Sequence, residues 1–145
     1  MLAVSSGGGH WEELVLLRDA LDGFDVTYAT TDPQLLQRAG VEQGHILPDC
    51  NRDSPLRALH GVIEAFRLIR RLRPDWVLST GAAPGFFCIV AGRLFGARTI
   101  WLDSVANAER MSMCGSLSRW CADLCLVQWR HLASGRRPSF FGSLL

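Results

Sequence analysis

The stretch LAVSSGGGHWEELVLL, residues 2–17, decides how the rest of the chain is read. Leu2 to Ser5 is a short apolar run of strand type, followed closely by Gly7, Gly8, Gly9 and His10. A helical pattern then runs from Glu12 to Asp22, with Leu14, Leu17 and Leu21 on one face and Glu12 and Glu13 in the first turn, where the helix dipole favours negative charge. A strand that passes through glycines into a helix opens a βα unit. Its backbone N–H groups and the positive end of the helix dipole together make an anion site, most often for phosphate. Residue type excludes two nucleotide motifs: a P-loop closes in Gly-Lys-Ser/Thr, which is absent, and the dinucleotide fingerprint needs glycine where Glu12 stands.

Outward from this unit the same alternation continues. Strands are expected at Asp25 to Ala29, His45 to Leu47, Trp76 to Ser79, Arg98 to Leu102 and Leu124 to Gln128, most of them continuously apolar as central parallel strands are. Ser54 and Pro55 form an N-cap and N1 pair that opens a long helix. Its stripe is Leu56, Leu59, Ile63, Phe66, Ile69 and Leu72, and Pro74 stops it. Further helices are expected from Pro84 to Phe95 and from Glu109 to Trp120. No repeat, low-complexity tract or linker interrupts the pattern, so residues 1–145 read as one α/β domain, a Rossmann-like three-layer parallel sheet.

The composition fits a globular chain of 145 residues, 48% hydrophobic and 20% charged, and its net charge of +1 supplies no global attraction for nucleic acid. Met1 leads straight into a strand with no basic segment before it, so no secretory signal is expected. The most apolar run, Gly85 to Gly92, is closed by Arg93 and falls short of the about 20 residues a spanning helix needs. Cys50, Cys88, Cys114, Cys121 and Cys125 are an odd set without a Cys-x-x-Cys pair, which points to reduced, mostly buried thiols. Neither a metal nor a cofactor is expected.

Ligands of open α/β sheets bind beyond the carboxyl ends of the strands, so the residues that follow each strand are the candidates. After the first come Gly7, Gly8, Gly9 and His10; after the fourth, Gly81, Pro84 and Gly85; after the fifth, Asp103, Ser104 and Asn107. His10 can act as a general base, donate to a phosphate, or simply cap its helix. Asp103 can orient a hydroxyl-rich ligand or cap the following helix. Arg67, Arg70, Arg71 and Arg73 gather at the end of the long helix, either as a solvated face that complements the dipole or as a patch for anionic lipid head groups.

Taken together, SSGGGHWEELVLL, STGAAPGFFCIVAGRLFGARTIWLDSVANAERMSMCGSLSRW, ADLCLVQWRHLA and FFGSLL resemble the acceptor-side subunit of two-chain GT-B glycosyltransferases. That group includes the membrane-anchoring subunit of the eukaryotic GlcNAc transferase acting on dolichol-linked GlcNAc, and bacterial exopolysaccharide proteins of the PssD type. The glycine loop is shared more loosely with lipid-intermediate transferases of the MurG kind. The resemblance implies the N-terminal half of a GT-B enzyme, binding a polyprenyl-diphosphate-linked glycan at the cytoplasmic face of a membrane. A PssE-like partner chain would bind the UDP-sugar, GlcNAc or glucuronic acid being the sugar moved. The residues carried over are Gly7, Gly8, Gly9 and His10 for the loop at the acceptor phosphate and Gly81, Pro84 and Gly85 for the second loop. Asp103 and Ser104 match an acidic-Ser pair, and Glu109, Ser112 and Gly115 match the segment after it. Gln128 and Trp129 fall where the halves meet and are expected at the partner interface, and His10 or Asp103 would serve as the base. The eukaryotic members carry an N-terminal transmembrane anchor, whereas this chain starts at its first strand. Membrane attachment is therefore expected to be peripheral, through the arginine patch, and a noncatalytic membrane scaffold is the alternative reading.

Overall fold

The apolar runs become strands whose two faces are both covered. In the computed structural model, which describes residues 1–42, 44–50 and 54–144, the strands are β1 (Leu2–Val4), β2 (Thr27–Thr30), β3 (Gly44–Ile46), β4 (Trp76–Ser79), β5 (Arg98–Leu102) and β6 (Leu124–Leu126). They form one parallel sheet in the order β3-β2-β1-β4-β5-β6. Side chains alternate across it. Leu2, Val4, Val77 and Trp101 pack with Ile69 and Ile89 in one core, and Ala3 and Leu78 pack with Trp11, Leu14 and Leu35 in the other.

The helices are α1 (Gly9–Leu16), α2 (Pro33–Arg38), α3 (Pro55–Leu72), α4 (Ala82–Leu94) and α5 (Met113–Cys121). Ser54 caps α3 as expected, accepting the Arg57 N–H at 3.4 Å, with Pro55 in the first turn. Three helices differ most from the sequence reading. The first helix begins at Gly9 and ends at Leu16, the remainder of the expected segment forming a 3₁₀ turn, Arg18–Leu21. α5 begins only at Met113, because Ser112 is its N-cap and accepts the Gly115 N–H at 2.8 Å. α2 was not expected at all, although Asp32 and Pro33 start it as Ser54 and Pro55 start α3, with the Asp32 carboxylate accepting the Gln34 N–H at 2.9 Å.

Parallel connections run each helix back from the carboxyl rim of the sheet to the opposite rim. α3 has 18 residues and so spans about 27 Å at about 1.5 Å per residue. Its first turn therefore lies at the ligand rim. Arg70, Arg71 and Arg73 lie at the far one, just before β4 begins.

Candidate functional site

β1 pairs with β2 on one side and β4 on the other, and the chain leaves β1 for α1 but leaves β4 for α4 in the opposite layer. A crevice opens where the strand order reverses in this way. The start of α1 and the loop after β4 meet here, His10, Ala82 and Ala83 being the residues that line a cavity, while Gly7, Gly8, Gly9 and Gly81 do not. A Cβ on Gly81, whose φ is 150°, would stand 2.4 Å from His10 Nδ1 and 2.6 Å from Cε1. The His10 ring thus lies on bare backbone, and Thr80 Oγ1 donates to the His10 carbonyl at 2.6 Å to hold the two loops together. The next residue, Ala82, has φ 64°, a left-handed conformation that costs a non-glycine residue about 1–2 kcal/mol.

A cavity of about 230 Å³ opens here, lined by His10, Cys50, Ala82, Ala83, Asn107, Ser112, Met113 and Cys114. It adjoins a second of about 600 Å³ that shares Asn107, Ser112 and Met113 and adds Arg110, Met111 and Ser116. His10, Ala82, Ala83, Met113 and Cys114 belong to the first turns of α1, α4 and α5, so three helix N-termini converge on a wall without a carboxylate. Unpaired N–H groups and aligned dipoles make such a place favourable to an anion.

Behind the cavity stands a buried polar network. Asp103, 1% exposed, accepts the Ser112 N–H at 2.9 Å, the Ser112 hydroxyl at 2.6 Å and the Trp101 indole N–H at 3.2 Å. A Cβ on Gly115 would come within 2.4 Å of it, so the backbone of α5 closes over the carboxylate. Glu13, which the sequence reading placed only as a first-turn charge, is buried too. It accepts from Ser104 Oγ at 2.7 Å, the Val105 N–H at 3.0 Å and Gln128 Nε2 at 3.3 Å. Gln128 also donates to the Asp103 carbonyl at 3.1 Å and accepts the Leu144 N–H at 3.0 Å. A glutamate in the first turn of a helix carries no mark of burial in sequence.

Several expected roles change on this geometry. Asp103, whose oxygens receive three donors, anchors α5 and lines neither cavity. Ser104 likewise turns its hydroxyl to Glu13, away from the cavity. Pro84 and Gly85 are buried inside α4; a Cβ on Gly85 would lie 2.0 Å from Ser79 Oγ, so this glycine permits close helix-to-strand contact. Gln128, 3% exposed, is an interior strut of this chain, whereas Trp129 is 38% exposed with its indole N–H on the Val105 carbonyl at 2.7 Å. Glu109 is exposed and lines neither cavity. The arginines do not share one face: Arg67 pairs with Glu64 and Arg71 lies 3.2 Å from His45 Nδ1, while Arg70 and Arg73 border a separate hollow with Phe95.

The family model for the Alg14-like oligosaccharide biosynthesis proteins matches residues 41–144. The chain belongs to this family. Among solved structures it is similar to MurG of Acinetobacter baumannii (15% identity, TM-score 0.78, 96% of this chain and 44% of that one). It is also similar to the S. aureus MnaA–UDP co-structure (15%, 0.67, 88% and 37%) and to a glycosyltransferase of Rickettsia africae ESF-5 (14%, 0.60, 88% and 36%). A comparison with curated protein sequences gives no significant match. The Alg14-like chain spans less than half the length of these three structures, and it has the fold of the N-terminal half of GT-B enzymes.

Burial pushes the Cys88 and Cys125 thiols up to about 12, and it raises Cys50, with help from the Asp49 charge. No group of three or more His, Cys, Asp or Glu residues suited to a metal occurs among the described residues, and no described helix is long and apolar enough to cross a membrane.

Proposed function

We propose that this Alg14-like chain is the acceptor-binding subunit of a two-chain glycosyltransferase. It would present a polyprenyl-diphosphate-linked glycan to a PssE-like partner holding a UDP-sugar, with GlcNAc or glucuronic acid as the sugar moved. The observation that carries this is the convergence of three helix N-termini, with His10 seated on Gly81, on a cavity whose lining has no carboxylate. A diphosphate suits that electrostatic environment, and holding the acceptor still lowers the barrier to attack on a donor held by another chain. In this reading the acceptor and the donor are held by different chains, so transfer needs both.

Membrane contact fits the ligand rim better than the arginines do. Leu56 and Leu59, 80% and 57% exposed, stand at the start of α3, and Met113 and Leu117 are exposed on α5 beside the cavity. A lipid-linked acceptor reaches the cavity from the bilayer, so apolar residues on this rim would meet it at the cytoplasmic face of the membrane.

The test is reconstitution of the chain with its partner, a UDP-sugar and a short-prenyl diphosphate-linked acceptor. Transfer should require both chains and fall when His10 is changed to alanine. A noncatalytic scaffold remains the second reading, because the buried state of Asp103 leaves His10 as the main titratable group of the cavity other than thiols. A scaffold would keep the full rate with His10→Ala once the complex is assembled, and lose it only when vesicle binding is lost.

A further inference from the structure

We propose that His10 meets a phosphate of the acceptor as a hydrogen-bond donor through a protonated Nε2; this rests on the acceptor-site reading above. A histidine that accepts a proton at Nε2 must carry its other proton on Nδ1, and bases of this kind give that N–H to a carboxylate or a carbonyl. In this chain His10 Nδ1 is buried and has no partner among the described residues. The ring edge that carries it lies on the Gly81 backbone, and the Gly81 N–H is already given to Ser79 Oγ at 3.2 Å.

The nearby buried carboxylates do not reach it. Glu13 receives Ser104, Val105 and Gln128, and Asp103 receives Trp101 and Ser112. A proton on Nδ1 would therefore be a buried N–H with no acceptor, and buried donors without acceptors are rarer than buried acceptors without donors. The proton belongs on Nε2, at the other edge of the ring, where His10 lines the cavity. A neutral N–H there suits a phosphate oxygen of the acceptor, in a wall already set by helix N-termini to receive negative charge.

The test uses the full chain labelled with ¹⁵N-histidine. Two-bond ¹H–¹⁵N spectra report the tautomer of each of the four histidines, and the His10 signals are those absent from His10→Gln. The expected result is a proton on Nε2, with inorganic pyrophosphate shifting the Nε2 resonance. A proton on Nδ1, or an Nε2 resonance that pyrophosphate leaves in place, overturns the proposal. In the reconstituted two-chain enzyme, His10→Gln places an N–H near the same position without offering a base. It should stay within about threefold of wild type, while His10→Ala falls about 10- to 100-fold, the loss expected for a hydrogen bond to a charged group. Gln as slow as Ala overturns the donor role alone. Ala as fast as wild type overturns the acceptor-site reading together with it.

Discussion

Gly81 has no side chain because the His10 ring occupies the place a Cβ would take, and that is testable at the level of one methyl group. Gly81→Ala should push the ring off its seat and slow transfer about 10- to 100-fold. The same change should cost about 1–3 kcal/mol in urea unfolding, from overpacking and from a φ of 150°. A second residue reports on pH. Burial works against the charged form of Asp123, but the Thr99 N–H and hydroxyl and the Arg93 guanidinium together hold its carboxyl below its ordinary value. A depressed folded value gives stability that is fully present above the ordinary Asp value of about 3.9 and is lost as pH falls through the folded one. Asp123→Asn should therefore lower the Tm at neutral pH, and its gap from wild type should narrow as the solution is acidified below about pH 4. The glycines and His10 were visible in the sequence as candidates, because their residue types are unusual at a strand end. Glu13 was not, since its burial depends on donors from residues 104, 105 and 128, remote in sequence.

Among the elements, α4 lies tight against the sheet. Cβ atoms on Gly85 and Gly92 would come 2.0 Å from Ser79 Oγ and 2.7 Å from Val77 Cγ2, so the two glycines, two turns apart, let the helix lie against β4. Gly92→Ala should lift it and cost about 1–3 kcal/mol by equilibrium unfolding, although alanine is the better helix former by about 1 kcal/mol. A stabilised variant would show that the contact relaxes freely. In sequence Gly85 read as a rim-loop residue and Gly92 as part of an apolar helical run, because close approach of two elements leaves no local trace. The start of α5 was misplaced for a related reason: Asp103 holds the Ser112 backbone and hydroxyl, and that clamp, not helix propensity, sets where the helix begins. α2 was legible after all, since Asp32–Pro33 is the same type of signal as Ser54–Pro55.

Across the molecule, the direction of the chain separates features that sequence distance leaves together. Leu56 and Arg73 lie on or next to one helix yet stand at opposite rims. If the acceptor rim meets the bilayer, Leu56→Asp with Leu59→Asp should reduce flotation with anionic vesicles severalfold, whereas Arg70→Gln with Arg73→Gln should change it little. The reverse result would return membrane contact to the arginines. Native-state hydrogen exchange should likewise find β1, β4 and β5 slowest and β3 with α2 fastest, since the former are interior strands and β3 is an edge.

The sequence by itself determined the α/β class, the parallel sheet, all six strand positions to within about two residues, and the rim on which ligands of such sheets bind. Those follow from periodicity, turn chemistry and the polarity of βα units, all of which are local. Only the tertiary structure decided which rim residues share a cavity, that Asp103 and Gln128 are interior struts, and which nitrogen of His10 is closed off. Burial and hydrogen-bond partnership join residues from different strands and helices, so they exist only once the sheet has brought those elements together.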